Sequence, residues 1–250
     1  MSDSDSAAPV VLKLGGSVIT DKDATEAVDT DRLAALAATV AAYDGPLVLV
    51  HGAGSFGHYH ADAHGVSRTA GSRDAGAVRD ITGSMRTLND AVVDALADAG
   101  APAVPVHPFS LASRKTNGEL SLPEASVAAM LAEGFLPVLH GDVVTHAGKG
   151  VTILSGDEIV VRLAEALDAD RVGLCSAVPG VLDEDGTVVD RVGSFDEVAA
   201  ALGGSDSTDV TGGMAAKVRE LLALSAPAYV FDADGVEPFL AGESPGTRID

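Results

Sequence analysis

Short apolar runs alternate with longer alanine-rich stretches along this chain, and that alternation limits the folds it can adopt. The apolar runs predict strands at residues 10–14, 47–50, 103–106, 137–139, 172–174 and 228–231. The stretches between them predict helices at residues 30–43, 75–99, 124–132, 157–166, 195–202 and 213–224. Apolar strands that alternate with helices are typical of a buried parallel sheet. We therefore predict an α/β fold, a three-layer αβα sandwich with a mostly parallel central sheet.

No linker rich in proline, glycine and serine divides the chain, and no internal repeat is present. The sequence therefore predicts a single domain over residues 10–250. Residues 1–9 are acidic and serine-rich, so we expect a disordered tail there. Turn residues around Gly118 and at 148–150 predict two hairpins, which are candidates for a lid.

The chain carries 37 acidic and 16 basic residues, a formal net charge of −21. Such a charge repels phosphate backbones and anionic lipid headgroups, which argues against a nucleic-acid partner and against a membrane partner. Self-repulsion also destabilises the compact state unless salt screens it, since the Debye length falls to about 3 Å near 1 M salt. We interpret the composition as halophilic, and an acidic mesophilic protein is the alternative.

One cysteine, Cys175, excludes an intramolecular disulfide and fits a reducing compartment. We expect it to be a buried structural thiol. The start of the chain lacks the basic and apolar regions of a signal peptide, and no apolar stretch reaches the roughly 18 residues of a membrane span. The sequence therefore predicts a cytoplasmic protein.

A lysine, two glycines and a serine stand at the end of the first predicted strand. Gly15 and Gly16 let the backbone approach a ligand closely and turn successive N–H groups toward phosphate oxygens. Lys13 adds a mobile positive charge at the carboxyl end of a strand, where open α/β sheets bind ligands. An ordinary turn is the alternative, but the chain has only five lysines. The placement of one of them here favours an anion site that includes Ser17.

A second glycine-rich segment, residues 51–58, follows the second predicted strand and contains the spacing G-x-G-x-x-G. A dinucleotide-binding fold would require the next strand to end in an acidic residue, whereas here it ends at Val106 and His107. We interpret the segment instead as a second anion-binding loop, in which His58 donates a hydrogen bond to a phosphate oxygen. One alternative is that His58 is an ordinary surface histidine. Another is a metal site formed with the nearby histidines, but no carboxylate or thiolate partner stands at a recognisable spacing from them.

Three further turns carry similar residue types. Residues 209–217 place two glycines at the start of a predicted helix and Lys217 about one turn into it, within reach of an anion at the helix N-terminus. A simple N-cap would also explain that turn. Gly141 and Asp142 follow another strand, and Asp157 opens a helix, where it could cap the helix or hold lysines across a cleft.

Phosphoryl transfer between two anions requires positive charge and N–H donors along the line of transfer, together with Mg²⁺ on the nucleotide phosphates. Lys13, Lys22 and Lys217 lie in or beside the glycine-rich turns. We therefore expect an ATP-dependent kinase that acts on a small anionic metabolite. The magnesium would be carried by ATP, with no protein side chain as its ligand.

Taken in order, these motifs resemble those of the amino acid kinase superfamily. Within it, the Ser-Phe-Gly-His sequence of residues 55–58 is similar to that of archaeal-type isopentenyl phosphate kinases. The resemblance spans nearly the whole chain, up to residues 246–249. It implies that ATP and isopentenyl phosphate give ADP and isopentenyl diphosphate, a step of isoprenoid biosynthesis in a variant of the mevalonate pathway. It also implies Mg²⁺ and a homodimer.

The same resemblance implies roles for single residues. Lys13 and Lys217 would neutralise the phosphates, Lys22 would assist the transferred group, His58 would hold the acceptor phosphate, and Asp157 would orient the lysines. The nucleotide would contact Lys13, Gly15, Gly16, Ser17, Gly54, Ser176, Gly212, Gly213 and Lys217. The acceptor would contact Ala53, Gly54, His58 and Gly141, and its isoprenoid tail would contact Val78, Ile81, Met85 and Ile153. The alternative for Val78, Ile81 and Met85 is that they belong to the ordinary core face of their helix.

The resemblance further implies an acceptor-binding part at about residues 10–140 and a nucleotide-binding part at about residues 150–250. The chain departs from the family pattern at two places. Ala53 replaces a glycine, and a backbone contact to the ligand survives this replacement only if the φ angle of residue 53 is negative. Ser176 and Ala177, followed by Val178 and Pro179, replace a Thr-Asp pair, so a carboxylate is lost on the nucleotide side.

Two other functions fit part of this pattern. One is a different small-molecule kinase of the same fold, of the fosfomycin-resistance type or an amino-acid kinase. His58 and an apolar acceptor pocket favour a phosphate acceptor over the carboxylate that an amino-acid kinase uses. The other is a nucleotide-binding regulator without catalysis, and the three lysines argue against it.

Overall fold

The protein is described by a computed structural model that covers residues 7–21, 23–203 and 213–250. Lys22, Gly212 and residues 1–6 of the predicted tail lie outside these ranges. The strands are β1 (Val10–Leu14), β2 (Leu47–His51), β3 (Ala103–Pro105), β4 (Ser113–Arg114), β5 (Leu120–Ser121), β6 (Leu136–His140), β7 (Asp142–His146), β8 (Gly150–Leu154), β9 (Arg171–Cys175), β10 (Arg191–Val192), β11 (Ala228–Phe231) and β12 (Thr247–Ile249). The helices are α1 (Gly16–Ile19), α2 (Thr30–Ala41), α3 (Gly54–Ala63), α4 (Ala75–Asp98), α5 (Glu124–Ala132), α6 (Gly156–Ala166), α7 (Ala199–Gly203), α8 (Gly213–Leu221) and α9 (Val236–Leu240).

Within the described ranges the strands form two sheets. The larger has the order β10-β12-β11-β9-β1-β2-β6-β3, and the smaller has the order β5-β4-β7-β8. In the larger sheet the β11–β12 pair is antiparallel and the other described pairs are parallel. Apolar cores lie on both faces of this sheet. The structure confirms the predicted αβα fold with a mostly parallel central sheet.

Strand β1 lies at the centre of the larger sheet, between β2 and β9, and all five of its residues are buried. Leu12 and Leu14 belong to the core that contains side chains of α2, α4 and α9. Val11 belongs to the core on the other face, together with side chains of α6. Because side chains alternate along a strand, Lys13 shares the face of Val11. This alternation directs the single charged residue of β1 toward α6.

Residues 54–63 form helix α3, where the sequence indicated a glycine-rich loop and then a polar stretch. We expected a loop because glycine and histidine have low helix propensity. The expectation was wrong because tertiary packing outweighs that propensity here. Phe56 and Ala61 are buried against neighbouring elements. Helix α4 passes so close that a Cβ on Gly57 would lie 2.6 Å from the Met85 sulfur. A larger residue at position 57 would therefore displace the Met85 side chain.

Most other predicted elements form within a few residues of their expected bounds. Residues 195–202 instead split into a 3₁₀ turn at Phe195–Glu197 and helix α7, and α8 ends at Leu221. Both predicted hairpins form, β4 with β5 and β7 with β8, and the pairing of β4 with β7 joins them into the smaller sheet. Across the described ranges, none of the helices has both the length and the apolar character needed to cross a bilayer.

Candidate active site

The carboxyl ends of four parallel strands lie side by side at one edge of the larger sheet. Three backbone hydrogen bonds connect the turns that follow them. The Gly15 amide donates to the carbonyl that ends β9 (2.8 Å), the Gly52 amide to the carbonyl that ends β1 (2.9 Å), and the Gly141 amide to the carbonyl that ends β2 (3.1 Å). The motifs found in the sequence therefore meet where open α/β sheets bind ligands.

A cavity of about 740 Å³ opens at this edge. Most residues assigned to the site from the sequence line it: Lys13, Gly15, Gly16, Ser17, Ala53, Gly54, His58, Ile81, Met85, Gly141, Ile153, Asp157, Ser176 and Lys217. Val78 instead packs into the small core between α3, α4 and the β7–β8 hairpin, as its helix-core alternative indicated. Gly213 begins α8 outside the lining. Lys22 and Gly212 fall outside the described residues.

Two lysines share one buried carboxylate in this cleft. Lys13 Nζ lies 2.5 Å from Asp157 Oδ1, and Lys217 Nζ lies 3.8 Å from Asp157 Oδ2. Lys13 and Asp157 are each 7% exposed, and a buried charge needs an oppositely charged partner to offset its desolvation. The cluster of two ammonium groups and one carboxylate carries one excess positive charge, which suits an anionic ligand beside it.

Asp157 is positioned by the start of helix α6. The Ser155 hydroxyl accepts a hydrogen bond from the Glu158 amide (3.2 Å), and the Glu158 carboxylate accepts one from the Ser155 amide (3.1 Å). This capping box makes Ser155 the N-cap, so the suggestion that Asp157 caps the helix was wrong. A Cβ on Gly156 would lie 3.2 Å from Lys13 Cε, and glycine there leaves room for the lysine to reach Asp157.

The first two glycine-rich turns pack backbone against backbone. A Cβ on Gly16 would overlap the Gly54 amide nitrogen, and a Cβ on Gly52 would lie 2.5 Å from the Gly16 nitrogen. Gly54 has φ of +51°, a conformation that favours glycine. Ala53 has φ of −79°. The alanine that replaces the family's glycine therefore causes no backbone strain.

Thr20 joins the same two turns, although no role in the site was assigned to it from the sequence. Its hydroxyl donates to the Gly16 carbonyl (2.8 Å) and accepts from the Ser55 amide (3.1 Å). Thr20 also lines the cavity. Because Thr20 and Ser55 are 35 positions apart, nothing local in the sequence indicated this contact.

One wall of the cavity combines a histidine with apolar side chains. His58, on α3, is exposed and lines the cleft, so its imidazole is accessible to a ligand. Ile81 and Met85 are buried and lie four residues apart on α4, which places them on one helix face. Ile153 is contributed by β8. This wall can receive a ligand that has both an anionic group and an apolar tail.

Asp142 is a buried carboxyl group beside the cleft. Its Oδ1 accepts a hydrogen bond from the Val143 amide (2.8 Å), and its Oδ2 has no hydrogen-bond partner within the described part of the chain. Burial raises the pKa of Asp142 from its ordinary value of 3.8 to about 7, although the Val143 and Phe109 amides and the Arg86 charge oppose that shift. The group therefore retains its proton over a wide acidic range.

Replacing Asp142 with asparagine should make stability less dependent on pH. Below pH 4 the folded and unfolded chains both hold the proton; between about pH 4 and 7 only the folded chain does. Because the folded state then binds more protons, this group lowers the free energy of unfolding as pH rises through that window. The melting temperature of Asp142→Asn minus that of the parent should rise from pH 4 to 7 and level off above pH 7. A difference that stays constant or falls would contradict the raised pKa.

Cys175, at the end of β9, is buried as the sequence predicted. Burial raises the pKa of its thiol to about 12, so the thiol stays protonated near neutral pH. Over the described ranges, no group of three or more His, Cys, Asp and Glu side chains is arranged to hold a metal ion.

Comparison with known proteins identifies close relatives. The profile of the amino acid kinase family matches residues 8–231. The isopentenyl phosphate kinase of Haloferax volcanii is 63% identical over 242 residues, which cover 96% of this chain and 98% of that protein. The isopentenyl phosphate kinase of Methanothermobacter thermautotrophicus is 35% identical, with the same coverage of both chains. An X-ray structure of an isopentenyl phosphate kinase, 31% identical, superposes with a TM-score of 0.83 over 97% of this chain and 100% of the other.

Proposed function

The chain belongs to the isopentenyl phosphate kinases of the amino acid kinase family, and on this premise we propose that its cleft transfers the γ-phosphoryl group of ATP to isopentenyl phosphate. The products are ADP and isopentenyl diphosphate, a precursor in isoprenoid biosynthesis. One observation carries the proposal: Lys13 and Lys217 meet at Asp157 in a cavity that also contains His58 and an apolar wall. That combination fits two phosphate-bearing ligands, one of which has a short hydrocarbon tail.

The reaction needs little covalent help from the protein. An oxygen of the acceptor phosphate attacks the γ-phosphorus of ATP, and the bond from that phosphorus to the β–γ bridging oxygen breaks. Lys13 and Lys217 stabilise the negative charge of the transferring group, and Asp157 holds both ammonium groups in place. Because Asp157 fixes the positions of these charges, little reorganisation is needed during transfer. Lys22 is proposed to assist the transferred group.

The two substrates are proposed to bind on opposite sides of the lysine pair. Ala53, Gly54, Gly141 and His58 would hold the acceptor phosphate, and Ile81, Met85 and Ile153 would contact its tail. Glycines 15, 16, 54, 212 and 213 and serines 17 and 176 would contact the nucleotide. The acceptor part would then comprise about residues 10–140 and the nucleotide part about residues 150–250. The cavity lining draws on both parts, with Lys13 from one and Lys217 from the other.

Magnesium is proposed to enter with the nucleotide. When bound with ATP, it would neutralise part of the negative charge of the nucleotide phosphates. The residues present fit an ion that ATP carries, because the Asp157 carboxylate of the cleft is already paired with two lysines. Transfer should therefore require Mg²⁺, and chelation with EDTA should abolish it.

The proposed reaction is tested by incubating the protein with ATP, Mg²⁺ and a panel of acceptors. We expect isopentenyl phosphate and other short alkyl monophosphates to be phosphorylated. Fosfomycin and amino-acid carboxylates should react far more slowly, because they lack the combination of a phosphate and an apolar tail. Phosphorylation of the carboxylates alone would indicate an amino-acid kinase. ATP binding without any transfer would indicate a regulator.

We also propose a halophilic, cytoplasmic homodimer. The net charge of −21 supports the halophilic assignment, and the dimer is implied by the family resemblance. Light scattering at molar KCl tests the oligomeric state, and a monomer would contradict it.

Stability should rise with salt. The acidic residues outnumber the basic ones by 37 to 16, and their repulsion weakens as the Debye length shortens from about 10 Å at 0.1 M to about 3 Å at 1 M. The melting temperature should therefore increase between about 0.1 M and 2 M KCl. A matched series in sucrose, which is uncharged, separates screening from general exclusion of solutes. A melting temperature that is flat or falls in KCl would contradict the halophilic proposal.

A further inference from the structure

Two buried histidines end neighbouring strands beneath the cleft. His51 ends β2 and His140 ends β6, and the two residues are paired in the sheet register. Both have 0% exposure. Their rings are stacked, with centroids 5.5 Å apart. Each is followed by a glycine that lines the cavity, Gly52 after His51 and Gly141 after His140.

Each histidine binds the carbonyl of the glycine that follows it. His51 Nδ1 lies 3.0 Å from the Gly52 oxygen, and His140 Nδ1 lies 2.9 Å from the Gly141 oxygen. A carbonyl oxygen can only accept a hydrogen bond, so both Nδ1 atoms must carry hydrogen. The same contact therefore occurs twice, side by side, at the two strand ends.

The other ring nitrogens are also engaged. His51 Nε2 lies 3.1 Å from Asn89 Nδ2, and His140 Nε2 lies 3.1 Å from His107 Nδ1. Burial lowers the pKa of His51 to about 4 and that of His140 to about 3, so both rings are neutral near pH 7. In a neutral ring that carries hydrogen on Nδ1, Nε2 is an acceptor. Asn89 and His107 therefore donate, and each chain of hydrogen bonds has one direction, ending at a glycine carbonyl.

These contacts determine the orientation of the two peptide groups that follow Gly52 and Gly141. In a trans peptide the C=O and the following N–H point in opposite directions, and no cis peptide occurs within the described ranges. With the Gly52 carbonyl held at a buried ring, the Ala53 N–H points away from that ring. Glycine tolerates many backbone conformations, so without such a contact a peptide that follows it could reverse at low cost. A reversed carbonyl would place its negative end at the cavity lining.

We propose that His51 and His140 are positioning residues of the kinase site, which hold the Gly52 and Gly141 carbonyls away from the acceptor's phosphate and keep the Ala53 amide available as a donor. The inference rests on the proposed function, because it assumes that an anion binds over these glycines. A purely structural role would leave substrate affinity unchanged, since the two rings would then only fill space beneath the sheet edge.

The hydrogen-bond pattern is tested directly by nitrogen NMR on the intact protein. With ¹⁵N-labelled histidine near pH 7, His51 and His140 should show the neutral form with hydrogen on Nδ1. Loss of each signal in His51→Asn and His140→Asn assigns the resonances. Hydrogen on Nε2 in either residue, or a charged ring, would overturn the proposed contact whether or not the protein is a kinase.

The functional consequence is tested by kinetics on paired substitutions. His51→Leu and His140→Leu remove the donor, and each should raise the KM for isopentenyl phosphate about tenfold, as expected for one hydrogen bond near a charged group. The KM for ATP should change less than twofold. His51→Asn and His140→Asn place an amide N–H close to the position of Nδ1, so each should recover most of the loss. An unchanged acceptor KM, or equal effects on both substrates, would overturn the inference.

His146 provides the matched control. It is a buried histidine on β7, its Nδ1 lies 3.1 Å from the Thr152 hydroxyl, and it does not line the cavity. His146→Leu should reduce thermal stability without a selective change in acceptor KM. A selective change in this control would show that any buried histidine has the effect, which would overturn the assignment. If a leucine variant fails to fold, the NMR test and the kinetics of the asparagine variants decide whether the two histidines have the proposed positioning role. A parent protein that does not phosphorylate isopentenyl phosphate would instead refute the proposed function.

Discussion

Lys217→Met is expected to lower kcat by roughly a hundredfold or more, the loss typical of removing a preorganised electrostatic group from a transition state. Lys217 Nζ lies 3.8 Å from Asp157 and lines the cavity. Methionine keeps most of the length of the side chain but removes its charge. The buried Lys13–Asp157 pair remains, so the protein should still fold. Steady-state kinetics with both substrates, together with thermal unfolding, measures the effect.

Two further variants make this result specific. Lys115→Met removes a lysine from an exposed pair with Glu119, so it changes the net charge equally and should leave kcat within about twofold of the parent, as surface substitutions generally do. Lys217→Arg keeps the charge and should recover part of the activity, with a limit set by the different shape of the guanidinium group. Near-normal turnover of Lys217→Met would show that this lysine is only a surface residue of α8.

His58→Ala should lower kcat/KM for isopentenyl phosphate about ten- to a hundredfold. A hydrogen bond to a charged group contributes about 1.5–3 kcal/mol, and the loss is larger if the bond tightens in the transition state. Nucleotide affinity should remain near that of the parent, because His58 is assigned to the acceptor side. Acceptor kinetics and an ATP titration on the same variant separate the two sites.

His60→Ala is the matched control for His58. His60 lies on the same helix, but its ring is 3.0 Å from Glu26 and does not line the cavity. It should keep full acceptor kcat/KM. His58→Gln retains an N–H donor and should recover part of the loss in His58→Ala. If His58→Ala phosphorylates isopentenyl phosphate as efficiently as the parent, the acceptor-anchor role is refuted.

Local patterns in the sequence were sufficient for the sheet. Strands β1 and β11 formed at their predicted bounds, because a run of apolar residues between turn signals leaves few alternatives to a buried strand. The glycine-rich turns were also predictable, since they follow directly from strand ends. Helix α3 was missed, because its glycines and histidines are poor helix formers and its stability depends on packing against α4.

The sequence by itself determined the αβα architecture and the residue types of the site, because both depend on patterns that extend over only a few neighbouring positions. Only the tertiary structure decided which of those residues meet. Lys13 and Asp157 are 144 positions apart, and their pairing depends on the alternation of β1 and on α6 crossing the face that contains Lys13. The contacts of His51 and His140 likewise required the register of β2 against β6. Pairings of this kind arise from packing between distant segments, and no local pattern specifies them.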